Sequence, residues 1–183
     1  MNCYGGKELA GAFRTVRKNT LIIAEEIPEE KFGYQAAPET RSVGRMLVHI
    51  ALGPGFQAQI HRVERRTTLE GMDFPALVQR MIADEQAPRT KAQIVALLRD
   101  EGDRFAQWLE GLSDDFLAEQ VAMPAGMTPA AKSRFEMLLG VKEHEMHHRA
   151  QLMLIERMLG MVPHLTREMQ ARFGAAAAAK TAS

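Results

Sequence analysis

The chain has 183 residues, of which 46% are hydrophobic and 25% charged, a balance suited to one folded domain. Lysine plus arginine and aspartate plus glutamate both total 23, so no basic excess favours nucleic acid or an anionic membrane. One cysteine excludes an intramolecular disulfide. With no signal peptide and no apolar run of about 18 residues, we predict a soluble, cytoplasmic protein.

Two long amphipathic helices are predicted in the first third of the chain. The first covers about residues 6–27, where apolar side chains recur at spacings of three and four. The second begins after Ser42, a good N-cap, and continues to about residue 66. It contains Pro54, which lacks an amide hydrogen and clashes with the preceding turn. We therefore expect a kink at this position.

The rest of the chain predicts two further long helices. After a short helix at 76–83, the third begins at Thr90, where Gln93 completes a capping box, and ends at Gly111. Prolines and a glycine in residues 118–132 predict a long connection without a strand. A fourth long helix is predicted at 133–160, and a short one at 166–173. Residues 1–174 thus form an all-α four-helix bundle with long interhelix links. The alanine-rich segment 175–183 is expected to be a disordered tail.

The fourth long helix carries the residues that indicate chemistry. His144 and His148 lie four apart, so their side chains project from one face, one turn apart. Together with Gln151 they interrupt the apolar stripe of this helix. An unpaired buried polar group costs about 1–3 kcal/mol, so these side chains need partners. A metal ion is one such partner, and hydrogen bonds within a core histidine pair are the alternative.

The second helix offers a third ligand, His49, at the edge of its apolar face. A bundle can bring it against His144 and His148, and three neutral imidazoles leave a fourth coordination position open, as in catalytic zinc sites. Gln151 and Glu145 are candidates to orient a ligand histidine through hydrogen bonds.

The three remaining histidines are not expected to be ligands. His61 is expected at the surface near the end of the second helix, and His147 beside the site or in solvent. His164 follows a proline in a turn, and we expect it to have no role in the site.

Two other functions remain open from these residues. The sequence His144-Glu145-Met146-His147-His148 fits the His-Glu-x-x-His pattern of zinc metallopeptidases, with Glu145 as general base. That interpretation leaves His49 without a role, and the metzincin extension is absent. Alternatively, the metal stabilises a non-catalytic stress-related or dimerisation module.

Two segments resemble motifs of the DinB/YfiT-like family. Residues 144–152 resemble its final-helix motif His-x-x-x-His-Arg-Gly-Gln-Leu, with Ala150 where the family often has glycine, and residues 42–50 resemble its second-helix histidine motif. The likeness extends over about residues 8–165.

This resemblance implies an up-down-down-up four-helix bundle and frequent homodimers. It also implies that His49, His144 and His148 bind zinc, nickel or a similar ion. Characterised members include enzymes that transfer or isomerise groups with low-molecular-weight thiols. The resemblance thus implies a metal-dependent thiol S-transferase or a hydrolase that acts on a small-molecule substrate.

Overall fold

The computed structural model describes the backbone of residues 4–181 and the side chains of residues 4–174. In chain order, this part of the molecule forms the helices α1 (Gly6–Glu26), α2 (Val43–Ala58), α3 (Phe74–Gln86), α4 (Lys91–Glu110), α5 (Asp114–Ala118), α6 (Arg134–Met158) and α7 (His164–Thr181). A π-helical turn, Gln59–Val63, extends α2, and a 3-10 turn covers Glu29–Lys31. Strands β1 (Gln120–Ala122) and β2 (Ala131–Ser133) form an antiparallel hairpin.

Side-chain caps set the beginnings of three bundle helices. The Ser42 side chain accepts a hydrogen bond from the backbone at the start of α2. Thr90 and Gln93 form a reciprocal capping box at α4, and Ser133 does the same with Glu136 at α6. Each cap satisfies backbone amides that have no partner inside the helix. These helix starts confirm the predictions from sequence.

Two apolar cores at opposite ends of the bundle define its topology. One core unites the end of α1, the beginnings of α2 and α4, and the end of α6; its members include Ile23, Ile27, Val43, Leu47, Ile94, Leu98, Leu152 and Ile155. The other unites the beginning of α1, the end of α4 and the beginning of α6; its members include Leu9, Phe13, Phe105, Leu109, Leu138 and Val141. Thus α1 and α6 run one way, and α2 and α4 run the other way. The predicted up-down-down-up four-helix bundle is confirmed.

A buried guanidinium joins all four bundle helices. Arg17 of α1, 4% exposed, donates to both carboxylate oxygens of Glu145 on α6, at 2.9 and 3.1 Å from Nε and 2.9 Å from Nη2. Its Nη1 also donates to the Leu98 carbonyl of α4, and its Nη2 to the Ile50 carbonyl of α2 at 3.3 Å. A Cβ at Gly102 would lie 2.8 Å from the Arg17 side chain, so this glycine leaves room for it.

Pro54 explains why a backbone carbonyl of α2 is available to Arg17. Because proline has no amide hydrogen, the Ile50 carbonyl four residues earlier lacks its helical donor. Arg17 supplies that donor. The helix continues through Pro54 and changes to π-helical geometry only at Gln59, so the irregular turn lies later than the predicted kink.

Several boundaries differ from the predictions. The connection predicted at 118–132 contains β1 and most of β2, which ends at Ser133, and these three-residue strands are too short to show an alternating pattern. Helix α3 is longer than residues 76–83, and α7 extends to Thr181, through most of the segment expected to be disordered. Alanine has the highest helix propensity, which accounts for that extension. Cys3 and residues 182–183 lie outside the described residues. Within the described part, no helix is both long and apolar enough to cross a membrane.

Replacing Glu145 with alanine is expected to lower the free energy of unfolding by about 3–5 kcal/mol, because Arg17 then stays buried without its counter-charge. The matched change Glu143→Ala, at an exposed position on the same helix, should cost less than about 0.5 kcal/mol. Urea denaturation measures both. Equal small costs would contradict a structural role for the Arg17–Glu145 pair.

Glu156 is another buried carboxyl group on α6, and it lacks a hydrogen-bond partner. It is 0% exposed, and neither carboxylate oxygen has a hydrogen-bond partner among the described side chains. Burial, reinforced by the nearby Glu26 carboxylate, raises the pKa of Glu156 from 4.5 to about 7, although Arg167 and Arg157 act in the opposite direction. The folded protein therefore holds a proton that the unfolded chain releases at lower pH.

We expect the stability of the wild type, relative to Glu156→Gln, to fall as pH rises from about 4.5 to about 7 and then to level off. The pKa difference corresponds to a loss of about 3 kcal/mol. Urea unfolding across this range measures it, with Glu168→Gln, an exposed site on α7, as control. Parallel pH profiles for the wild type and Glu156→Gln would contradict this assignment.

Candidate metal centre

Three imidazoles converge between α2 and α6. The Nε2 atom of His144 lies 2.9 Å from Nε2 of His49 and 3.1 Å from Nε2 of His148. One ligand atom from each residue lies within 4.8 Å of the others. The structure thus brings together all three histidines that the sequence singled out. His49, His144 and His148 are called the histidine trio below.

Local and tertiary contacts both contribute to this arrangement. The spacing of four residues on α6 places His144 and His148 on one face. His49 comes from the facing side of α2 and precedes Ile50, whose carbonyl accepts from Arg17. Glu145, which follows His144, binds the same guanidinium. Arg17 therefore holds the two histidine-bearing segments against each other.

A carboxylate from α3 orients His49. The Oε1 atom of Glu85 lies 2.6 Å from Nδ1 of His49, and Arg41 donates to Glu85 at 2.8 and 3.3 Å. Glu85 is 4% exposed. Burial raises its pKa, but the hydrogen bonds from Arg41 and His49 outweigh burial, so the pKa lies below its ordinary value. The carboxylate is therefore ionised and can only accept, which places the proton of His49 on Nδ1.

Gln151 contacts His148 in the same way. Its Oε1 atom lies 2.8 Å from Nδ1 of His148, so His148 also carries its proton on Nδ1. The Nε2 atom of Gln151 lies 3.3 Å from the exposed His147, which thus adjoins the site without contributing to the trio.

These protonation states fit a bound cation. His49 and His148 each present an Nε2 lone pair, and His144 can place at most one proton between its Nε2 and theirs. A metal ion would satisfy all three lone pairs, and nitrogen ligands around tetrahedral zinc are separated by about 3.3 Å. The separations of 2.9 and 3.1 Å are close to that value.

Burial keeps the rings neutral. It lowers the pKa of His144 to about 4, with further lowering by His148 and His49. Burial also lowers the pKa of His49 and of His148, against the opposing hydrogen bonds of Glu85 and Gln151. Neutral imidazole is the form that binds a metal.

Two expectations from the sequence are wrong. Glu145 does not orient a histidine, because within residues 4–174 its carboxylate binds Arg17. His61 is not at the surface; it is 0% exposed and contacts Gln57 and Arg134. In both cases the partner comes from packing. His164 is buried at the beginning of α7, with its Nε2 3.4 Å from Asn19, and the absence of a site role expected for it stays a prediction.

Sequence reasoning also missed Glu85. Among the described side chains, it is the buried residue of α3, and 36 residues separate it from His49. Glu85 lies beyond the short helix predicted at 76–83, and nothing in its local sequence shows that it contacts His49.

Two cavities reach the trio. Cavity 1 has a volume of about 420 Å³ and is lined by His49 and His144, by apolar side chains that include Phe56, Phe74 and Met137, and by Gln57. Cavity 2 has a volume of about 510 Å³ and adjoins His148, Gln151 and Glu85. Helix α3 contributes to both, through Met81 and Ile82. Both volumes lie in the range of small-molecule sites.

The fold and the trio define a class: an up-down-down-up helical bundle with a three-histidine candidate metal centre beside a cavity. The chain belongs to the DinB superfamily, whose family model matches residues 12–152. No curated protein matches the sequence.

Solved structures share the fold at low identity. The DinB-like protein YjoA from Bacillus subtilis is 18% identical, with a TM-score of 0.62, over 85% of this chain and 93% of that one. YfiT from Bacillus subtilis, described as a probable metal-dependent hydrolase with an unusual four-helix bundle topology, is 13% identical, with a TM-score of 0.66, over 88% and 91%. A DinB-like protein from Bacillus cereus is 16% identical, with a TM-score of 0.61, over 85% and 93%. At these identities the likeness shows the fold alone.

Glu85→Gln is expected to weaken zinc binding about 10-fold to 100-fold, because the neutral amide no longer holds the Nδ1 proton of His49 as strongly. Asp84→Asn, an exposed neighbour on α3, is the matched control and should bind like the wild type. Competition with a zinc-sensitive dye measures both affinities. Unchanged affinity in Glu85→Gln would show that the carboxylate does not support the ligand.

Proposed function

We propose that His49, His144 and His148 bind one divalent transition metal, and that its open coordination position activates a nucleophile toward a small molecule in cavity 1. The observation that carries this proposal is the convergence of three Nε2 atoms, two of which Glu85 and Gln151 keep unprotonated. Buried lone pairs without a shared partner are costly, and a cation relieves that cost.

A metal bound here would lower the pKa of a bound water or thiol, so that hydroxide or thiolate forms at neutral pH. The chain's own residues hold the imidazoles neutral, orient them and line the space beside them. Three imidazoles suit zinc or nickel, which we propose as the native ions. The adjoining cavity of about 420 Å³ favours a reactive centre over a closed structural site.

Hydrolysis and thiol transfer both fit this centre. The fold shared with YfiT, a probable metal-dependent hydrolase, supports hydrolysis. The family resemblance supports transfer to or from a low-molecular-weight thiol. A metallopeptidase mechanism has less support, because its general base would be Glu145, which is bound by Arg17.

The homodimer and the cytoplasmic location stay predictions. Exposed apolar side chains on α6, Leu154 and Met158, are compatible with a contact between copies. The absence of a role for nucleic acid also stays a prediction, based on the equal numbers of acidic and basic residues.

Elemental analysis of protein purified without a metal-affinity tag tests the proposal. We expect about one zinc or nickel per chain in the wild type and in His147→Ala, which replaces the exposed neighbour. His49→Ala, His144→Ala and His148→Ala should each lose it, because two imidazoles do not complete the site. Metal retained in His49→Ala would contradict the three-histidine centre.

The same proteins separate the two reactions. Zinc-loaded and chelated samples are assayed with p-nitrophenyl acetate, and with cysteine plus 1-chloro-2,4-dinitrobenzene. Turnover that requires both zinc and His49 identifies the reaction class. Full metal occupancy with no turnover in either assay, or in a broader panel of esters and thiols, would favour a non-catalytic metal-stabilised module.

A further inference from the structure

Gln57 lies at the end of cavity 1 away from the trio. His49, Gly53 and Gln57 are four residues apart on α2, and all three line this cavity. At about 1.5 Å per residue, Gln57 lies about 12 Å along the helix from His49. A ligand bound at the metal could therefore extend along this face of α2 and reach the Gln57 amide.

Two buried side chains, Arg134 and His61, form a hydrogen-bonded relay that fixes the orientation of that amide. Arg134, 1% exposed, lies with Nη1 2.9 Å from Nδ1 of His61, which is 0% exposed. Arginine can only donate, so Nδ1 of His61 accepts and its proton is on Nε2. Burial, with a smaller contribution from Arg134, lowers the pKa of His61 to about 4, so the ring is neutral. Its Nε2 lies 3.0 Å from Oε1 of Gln57 and donates to it.

The relay leaves the nitrogen of Gln57 free. Because His61 occupies Oε1, the amide cannot turn over without losing that hydrogen bond. Within residues 4–174, the bond to His61 is the one side-chain hydrogen bond that the Gln57 amide forms, and its Nε2 forms none. Arg134 is itself held by Glu119 at 2.8 Å and by the face of Phe116 at 4.8 Å. His61 lies in the π-helical turn after α2, a geometry often found at functional sites.

The surroundings indicate what this donor would recognise. Near Gln57 the cavity wall is apolar, with Phe56, Phe74, Met123 and Met137. At this end the lining holds one lysine, Lys132, and one glutamate, Glu136, whose carboxylate accepts from Ser133 at the α6 cap, so no net charge attracts an anion. The apolar wall and the neutral amide donor favour an uncharged oxygen acceptor.

We propose that Gln57, oriented by His61 and Arg134, is a specificity-determining residue. It donates a hydrogen bond to an uncharged carbonyl oxygen on an apolar arm of the substrate, remote from the reacting group. This inference rests on the proposed function, since it takes cavity 1 as the substrate cavity of the metal centre. It narrows the substrate class to esters, ketones or amides with an apolar chain between the acceptor and the metal-bound group.

The test uses cobalt(II)-loaded protein, in which a coordinating thiolate changes the visible and near-ultraviolet spectrum. The probes are methyl esters of ω-mercapto acids with two to six carbons, each compared with the alkanethiol of equal length. In the wild type, we expect the ester of best length to bind up to about tenfold more tightly than its alkanethiol, the range of a single hydrogen bond. The ω-mercapto carboxylate should bind more weakly than the ester.

Gln57→Leu should lose the ester preference and keep alkanethiol binding. The matched control is Gln59→Leu, because the Gln59 amide donates to Glu64 and lies outside the cavity lining; it should keep the preference. Gln57→Glu can still accept from His61 but presents no donor, so it should bind the ester more weakly than the alkanethiol.

The outcomes separate this inference from the proposed function. Thiols that bind without an ester preference at any length, or with the same preference in Gln57→Leu, would overturn the role of Gln57 and leave the metal centre intact. Tighter binding of the carboxylate would overturn the uncharged acceptor. If no thiol changed the cobalt spectrum, the open coordination position would be refuted, and this inference with it.

Discussion

The buried guanidinium of Arg17 is the interaction on which the rest of this structure depends. It contacts α2, α4 and α6 from α1, through the Ile50 and Leu98 carbonyls and the Glu145 carboxylate, and at Ile50 it replaces the helical donor that Pro54 lacks. Two of these contacts, at Ile50 and Glu145, adjoin His49 and His144 in the chain. Because a charge in the interior must keep all its partners, the helices cannot slide past one another without a large cost. The same interaction that holds the bundle together thereby positions the imidazoles.

Besides the contacts of Arg17, the interior contains two chains of hydrogen bonds between polar side chains. In one, Arg41 and Glu85 orient His49 from the side of α3, and Gln151 orients His148 from within α6. In the other, Arg134 and His61 orient Gln57. Both chains work by the same physics: a group that can only accept or only donate decides which ring nitrogen carries the proton. The first leaves lone pairs for a metal, and the second leaves a donor for a ligand.

Helix α3 is attached to the bundle differently from the other helices. Its inward side chain is a carboxylate, while Val78 and Ile82 are substantially exposed. It nevertheless lines both cavities beside the trio. The Glu85 hydrogen bond that orients a candidate ligand therefore also holds α3 to the bundle, in addition to the packing of Phe74 against Phe56.

Local sequence determined the bundle helices and half of the site. Caps at Ser42, Thr90 and Ser133 and the apolar periodicity act within one or two turns, and so does the spacing that places His144 beside His148. His49 was predicted because it lies at the edge of an apolar helix face and because its segment resembles a family motif. Tertiary structure alone decided the partners of Glu145, Glu85, His61 and Gln57. Arg17 and Glu145 are 128 residues apart, and His61 and Arg134 are 73 apart. Nothing in either local segment encodes such a pairing, because it depends on which helix faces pack together.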